Sequence, residues 1–208
     1  MLYRYLLVAR FVLVNMVATA LLFATYLQGW LDGLLSAHLV ELSYFISVVF
    51  VYGLILCGIK VWRYSVELND LKAGTPRPDS RTGRFISQTE NAKPESRTIQ
   101  AEALRLKLTD GIVDVRHIAN ALVLLGLIGT VIGFIIALSG VNPAEAKSAD
   151  AVAGIVTTLI NGMSVALYTT LVGAVLHIWL IVNYRILTSG TVDLIASTIQ
   201  MSESRARN

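Results

Sequence analysis

The residues that could do chemistry in this chain are few, and most are hydroxyls inside apolar runs. Thr130 stands at the centre of ALVLLGLIGTVIGFIIALSGV (121–141), an uncharged stretch with glycines at 126, 129, 133 and 140. Thr170 stands inside GMSVALYTTLVGAVLH (162–177), with Thr169 beside it, His177 closing the stretch, and Asn161 and Ser164 nearby. A threonine at membrane depth has two uses. It can bond its own i−4 carbonyl and serve packing, or it can face a partly hydrated cavity and hold an ion or its carrier. Spacing alone leaves both readings open for Thr130 and Thr170. Thr169, Asn161 and Ser164 are secondary candidates for a pore lining, the last two towards an outer entrance. His177 could relay protons, as imidazoles do, or simply bond a neighbouring helix. The nucleotide and metalloprotease motifs GxGxxG, GxxxxGK[ST] and HExxH do not occur, nor does a Cys/His cluster. The expectation is a non-enzyme without cofactor or metal.

These side chains must be positioned by membrane helices. The 208 residues are 55% hydrophobic and 15% charged, with a mean hydropathy of +0.65, far from a soluble domain of this length. Runs without Asp, Glu, Lys or Arg cover 11–31, 42–59, 117–144 and 151–184. About 20 residues suffice to cross a bilayer, so an all-α protein with four transmembrane helices is expected, the last two extending beyond the bilayer. Sixteen of the 17 Lys and Arg residues fall on one side, from Arg4 and Arg10 to Arg185, Arg205 and Arg207. The opposite connections hold only Lys147, beside Asp32, Glu41, Glu145 and Asp150. Both termini are therefore expected in the cytoplasm, with no nucleic-acid partner. Ala18–Thr19–Ala20 fits a signal-peptide cleavage site, but the apolar run continues past it, so a retained span is expected. Tyr26, Trp30 and Trp62 fall near span ends, as aromatic belts do. Asp114 and His117 read as interfacial anchors at the start of span 3. Cys57 reads as a small packing residue.

Four segments follow. Residues 1–62 hold spans 1 and 2, 63–110 a cytoplasmic loop with a helical extension, 111–187 spans 3 and 4, and 188–208 a cytoplasmic tail. The loop centre, 74–98, contains three of the four prolines and reads as irregular. Leu104, Leu108, Ile112, Val115 and Ala119 recur at helical spacing, so one helix should run from about residue 99 into span 3. Small residues form rows on both later spans: Gly129, Gly133 and Ala137 beside Gly126 on one. On the other they are Gly162, Ala166, Thr170 and Ala174, with Thr169, Gly173 and His177 adjacent. In lipid such rows allow close helix packing.

The segment LGLIGTVIGFIIALSGV (125–141) resembles the LGLLGTVxGM segment of the MotA/TolQ/ExbB proton channel family. ALYTTLVG (166–173) resembles that family's second signature in the form seen in MotA-like flagellar stators. The resemblance covers roughly residues 100–188, and four spans match MotA rather than the three of ExbB and TolQ. It implies a homopentameric ring in the bacterial inner membrane around a MotB/ExbD/TolR-like partner, whose single span carries an aspartate. Thr130 and Thr170 occupy the positions of the family's pore threonines, and the small side chains leave room for a central helix. The charge-free spans agree, since an ion carrier needs a titratable group at depth, here the partner's. The resemblance implies conversion of proton or sodium motive force into mechanical work. Three departures stand out. Val165 replaces the glutamate of ExbB and TolQ, the loop is shorter than in MotA, and the long tail of Zorya defence motors is missing. The rival reading is a non-conducting four-helix scaffold.

Overall fold

The computed structural model describes residues 5–28, 40–74, 76–89, 94–141 and 148–207. Arg4, Trp30, Asp32, Glu145 and Lys147 lie outside the described residues, as do the side chain of Glu41 and the connection at 142–147. The described residues form five helices: α1 (Leu6–Leu27), α2 (Val40–Lys72), α3 (Arg81–Thr89), α4 (Pro94–Ser139) and α5 (Ala149–Arg207). All but α3 are long and apolar enough to cross a membrane, and no strand occurs among the described residues. The expected all-helical architecture with four apolar spans is present. α4 has 46 residues and α5 has 59, so at ~1.5 Å per residue both exceed the ~30 Å hydrocarbon layer at least twofold.

Local chemistry sets the helix ends. Gly74 closes α2 at φ +76°, its amide on the Leu71 carbonyl at 3.0 Å, a left-handed cap that glycine adopts without a Cβ clash. Ser80 caps α3, its Oγ accepting from the Gly83 amide at 2.9 Å. Pro94 opens α4, where its missing N–H would have no helical partner. Ser148 caps α5 through the Ala151 amide at 3.2 Å.

The chain divides into two compact units. The first comprises Met1–Val17, Leu54–Arg116 and Val182–Asn208. Leu104, Leu108, Ile112 and Val115 of α4 are buried in it, with Cys57, Val61, Tyr64 and Leu71 of α2. The stripe expected from helical spacing is buried along its whole length, Ala119 included. α5 contributes Asn183, Leu187, Thr191, Leu194, Thr198 and Ser202, all buried at steps of three and four, so the segment expected as a tail continues the α5 helix and packs. α1 has no buried residue and is held at discrete points. Asn15 donates to Asn183 Oδ1 at 2.7 Å and to the Phe11 carbonyl at 2.8 Å, Leu7 sits over Gly190, and Tyr5 stacks on Trp62 with ring centroids 6.5 Å apart. The Lys60 ammonium bonds the Gly111 carbonyl and Asp114, the latter at 2.9 Å, which ties α2 to α4.

The expectation of an irregular 74–98 is corrected by α3. Thr82, Gly83, Phe85, Ile86 and Thr89 form its buried face, and Thr89 shares a 2.7 Å hydrogen bond with Ser202 of α5. Prolines and charges dominate the composition of this region, yet the five buried residues fall on one helical side and Ser80 starts the helix. Glu67, seven residues past Lys60 and outside the charge-free run of α2, has its Oε2 buried without a hydrogen-bond partner. Burial holds its carboxyl above the usual range, opposed by the charge of Arg81.

The second unit comprises Ala18–Gly53 and His117–Ile181. Its centre is the contact of α4 with α5.

Candidate functional site

Glycine governs the α4–α5 contact. A Cβ on Gly133 would lie 2.5 Å from the Ala166 amide nitrogen and 2.6 Å from the Gly162 carbonyl oxygen. A Cβ on Gly173 would lie 2.7 Å from the Leu122 carbonyl oxygen and 3.0 Å from the Gly126 Cα. One on Gly162 would overlap the backbone of Ala137, and one on Gly129 the side chain of Thr169. The two backbones touch at Gly133, Gly162 and Gly173, the arrangement that small residues permit in lipid.

On α5 the seam follows Gly162, Ala166, Thr169 and Gly173, all buried. Steps of four and three keep a line straight on a helix of 3.6 residues per turn, whereas a strict i, i+4 row drifts. Thr170 and Ala174 therefore fall beside the seam, Thr170 exposed and Ala174 half-buried. The small faces of α4 and α5 are turned on each other within one chain. The expectation that they are thin in order to leave room for a central helix is corrected on this point.

The threonines differ in what their hydroxyls do. Thr169 is fully buried and donates to the Val165 carbonyl of its own helix at 2.8 Å. Thr130, half-buried, donates to the Leu127 carbonyl of its own helix at 2.5 Å. Thr170 instead crosses to α4 and donates to the Gly126 carbonyl at 3.2 Å. In an α-helix that carbonyl is already the acceptor for the amide four residues on, that of Thr130. The Thr170 hydroxyl and the Thr130 backbone thus converge on one oxygen. The missing side chains of Gly126 and Gly173 allow it.

His177 Nδ1 lies 2.7 Å from the Ala119 carbonyl oxygen. A carbonyl can only accept, so Nδ1 carries a proton and donates it to Ala119. Ser164, half-buried, bonds the Ile160 carbonyl of its own helix at 2.9 Å, and Asn161 is exposed. Around Thr170 the surface is apolar, with Leu127, Val131, Leu167 and Leu171 exposed.

The site supplies oxygen dipoles and no charge. A monovalent cation at this level would meet hydroxyls and a carbonyl, and the described residues around the seam bring no carboxylate to it. Among the described residues no group of three or more His, Cys, Asp or Glu could hold a metal ion. The Thr170–Gly126 bond has no signal in the sequence, because it depends on the rotation of one helix against another. The seam itself does have one, in the 162, 166, 169, 173 spacing.

Comparison with known proteins adds one finding. The family described as the MotA/TolQ/ExbB proton channel family matches residues 86–200, a range containing all of α4, the whole seam and most of α5. Neither the curated proteins nor the solved structures give a match.

Proposed function

The chain belongs to the MotA/TolQ/ExbB proton channel family, and from that premise we propose that it is the ion-conducting subunit of a rotary energy-transducing motor. As a multi-pass membrane protein of this type it sits in the bacterial inner membrane with both termini in the cytoplasm. Five copies surround a partner whose single span carries an aspartate, and protons are the transported ion.

The observation that carries this reading is the Thr170 hydroxyl. It belongs to an exposed residue, lies on the rim of a seam with no bulky side chains, and donates to a carbonyl that already has its own helical donor. Such a donor gives up little when it turns away, because the Gly126 carbonyl keeps the Thr130 amide. When the charged partner aspartate arrives, Thr170 turns and donates to the carboxylate, a stronger acceptor than the carbonyl. When the aspartate takes a proton, the hydroxyl returns to Gly126. The ring thus has two states for one donor, and the protonation of the partner selects between them. A charge crossing the membrane supplies ~2.3 kcal/mol per 100 mV, enough to drive this exchange and a step of the partner helix.

The test is proton uptake into vesicles holding both chains. Thr170→Val keeps the volume and removes the donor, a loss on the order of 1–3 kcal/mol in a dry site, or roughly 5- to 150-fold in flux. Thr130→Val should lower flux as well, and Thr170→Ser should restore much of it. Thr191→Val, whose hydroxyl bonds its own helix further along α5, leaves flux unchanged. Intact complexes with normal flux in both the Thr130 and Thr170 variants would reject the assignment and favour the scaffold reading, which the meeting of the two small faces within one chain already suits.

A further inference from the structure

One polar cleft of the first unit has no part in the threonine site. It lies between the first turns of α1, the end of α2 and α5, with a cavity volume of about 50 Å³. Its polar wall is made by Arg10, Ser65, Asn69, Lys72, Ser189 and Asp193, and three leucines form the apolar side. Arg10, Lys72 and Asp193 take part in no ion pair among the described residues. The Asn69 Nδ2 is buried with no acceptor. Ser65 is buried. A guanidinium, an ammonium, a buried amide donor and two hydroxyls therefore share one small space, beside a single carboxylate.

We propose that this cleft binds the phosphate of a phospholipid head group in the leaflet that contains the first turn of α1. The inference is independent of the motor reading and stands whether or not the ring conducts. Four observations lead to it. Donors of this kind and number fit a phosphate, whose oxygens accept from Arg, Lys and amide together. The membrane end of the cleft is at head-group depth: Arg10 directly precedes the first charge-free run, and Ser65 lies five residues beyond Lys60, roughly 8 Å further along α2. Asn69 and Lys72, nine and twelve residues beyond Lys60, form its water-facing end and reach back towards the phosphate. The interfacial layer extends ~5–8 Å past the hydrocarbon on each side. Trp62, stacked on Tyr5, sits at the same level of the chain, where aromatic side chains favour the boundary. Finally, the leucine side of the cleft would repel a free phosphate but suits the glycerol and acyl carbons of a lipid.

Asp193 refines the ligand. A carboxylate in an anion site is unfavourable unless the ligand carries a donor next to its phosphate. A phosphoethanolamine head group meets this pattern, with its phosphate on Arg10 and Lys72 and its ammonium on Asp193. A phosphoglycerol head group offers only hydroxyls to Asp193 and should bind less well.

The experiment uses the full chain in lipid nanodiscs and in mild detergent, read by native mass spectrometry. With ethanolamine, glycerol and choline phospholipids supplied in equal amounts, the chain should retain the ethanolamine lipid. The Arg10→Gln/Lys72→Gln double variant should hold it at least tenfold more weakly, while Arg205→Gln behaves as the wild type. Asp193→Asn should keep lipid binding and lose the preference for ethanolamine over glycerol. Asn69→Asp, nearly isosteric and placing a negative charge beside the phosphate, gives a second reading that survives if the double variant does not fold, and it should also weaken retention tenfold. Unchanged lipid retention in the double variant or in Asn69→Asp would overturn the proposal. So would displacement of the lipid by millimolar inorganic phosphate, which would assign the cleft to a soluble anion. An unchanged preference in Asp193→Asn would overturn the ethanolamine assignment.

Discussion

The two units of this protein solve the same packing problem in opposite ways. In the second, α4 and α5 meet through glycines, and a single added methyl at Gly133 or Gly162 collides with backbone. In the first, the same two helices bury Leu104, Leu108, Leu187 and Leu194, large side chains where the second unit has glycines. One contact is closed by removing atoms and the other by adding them. Backbone cannot shift locally, whereas side chains can repack, so the first solution tolerates change in steps and the second fails at once. A close approach also brings main-chain carbonyls within reach of a neighbour's hydroxyl, as Gly126 is for Thr170. A side-chain-filled contact hides them.

The sharpest way to break this contrast is to enlarge Gly133. Gly133→Val should prevent α4 and α5 from closing, at a cost of about 3 kcal/mol or more, and yield little folded chain by size exclusion and circular dichroism. A methyl group added at Gly154 would meet nothing within 4 Å, so Gly154→Ala should gain up to ~1 kcal/mol from helix propensity. A stable Gly133→Val chain would mean that the seam is looser than backbone contact. Next in size, Leu187→Ala opens a cavity and should cost about 2–5 kcal/mol in thermal unfolding while leaving a folded chain; loss of all folded protein would erase the difference between the units. Thr89→Val deprives Ser202 of its buried partner, at about 1–2 kcal/mol. Amide exchange across 81–89 should then speed up well beyond that at Leu108, and equal rates would show that α3 is not held by this bond. The smallest effect concerns Glu67. Its folded pKa is raised by burial, so the folded chain holds the proton more tightly than the unfolded one, and stability falls as pH rises from the unfolded value of 4.5 through the folded one. Glu67→Gln should therefore unfold at a higher temperature than wild type at pH ~8, with the gap closing towards pH ~4. A gap that widens on acidification would reverse the sign of the burial effect.

Much of the fold was legible because its main signals are local. Charge-free runs mark the four long helices, and the spacing of Leu104 to Ala119 marks the buried side of α4. Two elements escaped. α3 is nine residues long among prolines and charges, and averaged composition hides the buried residues that anchor it. The last turns of α5 carry Leu187, Thr191, Leu194, Thr198 and Ser202 at regular steps, but three of the five are polar, and hydropathy alone passes them over. The site was legible in residue type and not in orientation. Thr169 and Thr170 are neighbours with equal chemistry, and a rotation of ~100° puts the first inside the seam and the second on its rim. Only the pairing of two helices decides which is which. The long-range pairs Asn15–Asn183 and Lys60–Asp114 were invisible for the same reason, since each partner is unremarkable within its own segment.

The asparagine pair has a consequence for how the protein is made. α1 buries none of its residues, so a few point contacts place it, and Asn183, the partner of one of them, lies 168 residues after Asn15 in the chain. At ~5–20 residues per second, a ribosome needs roughly 10–30 s to reach it. During that wait Asn15 has the Phe11 carbonyl of its own helix as its acceptor, and its side-chain oxygen has no donor from α5. The docking of α1 that begins on α2 through Tyr5 and Trp62 is therefore completed only when a segment translated much later supplies Asn183.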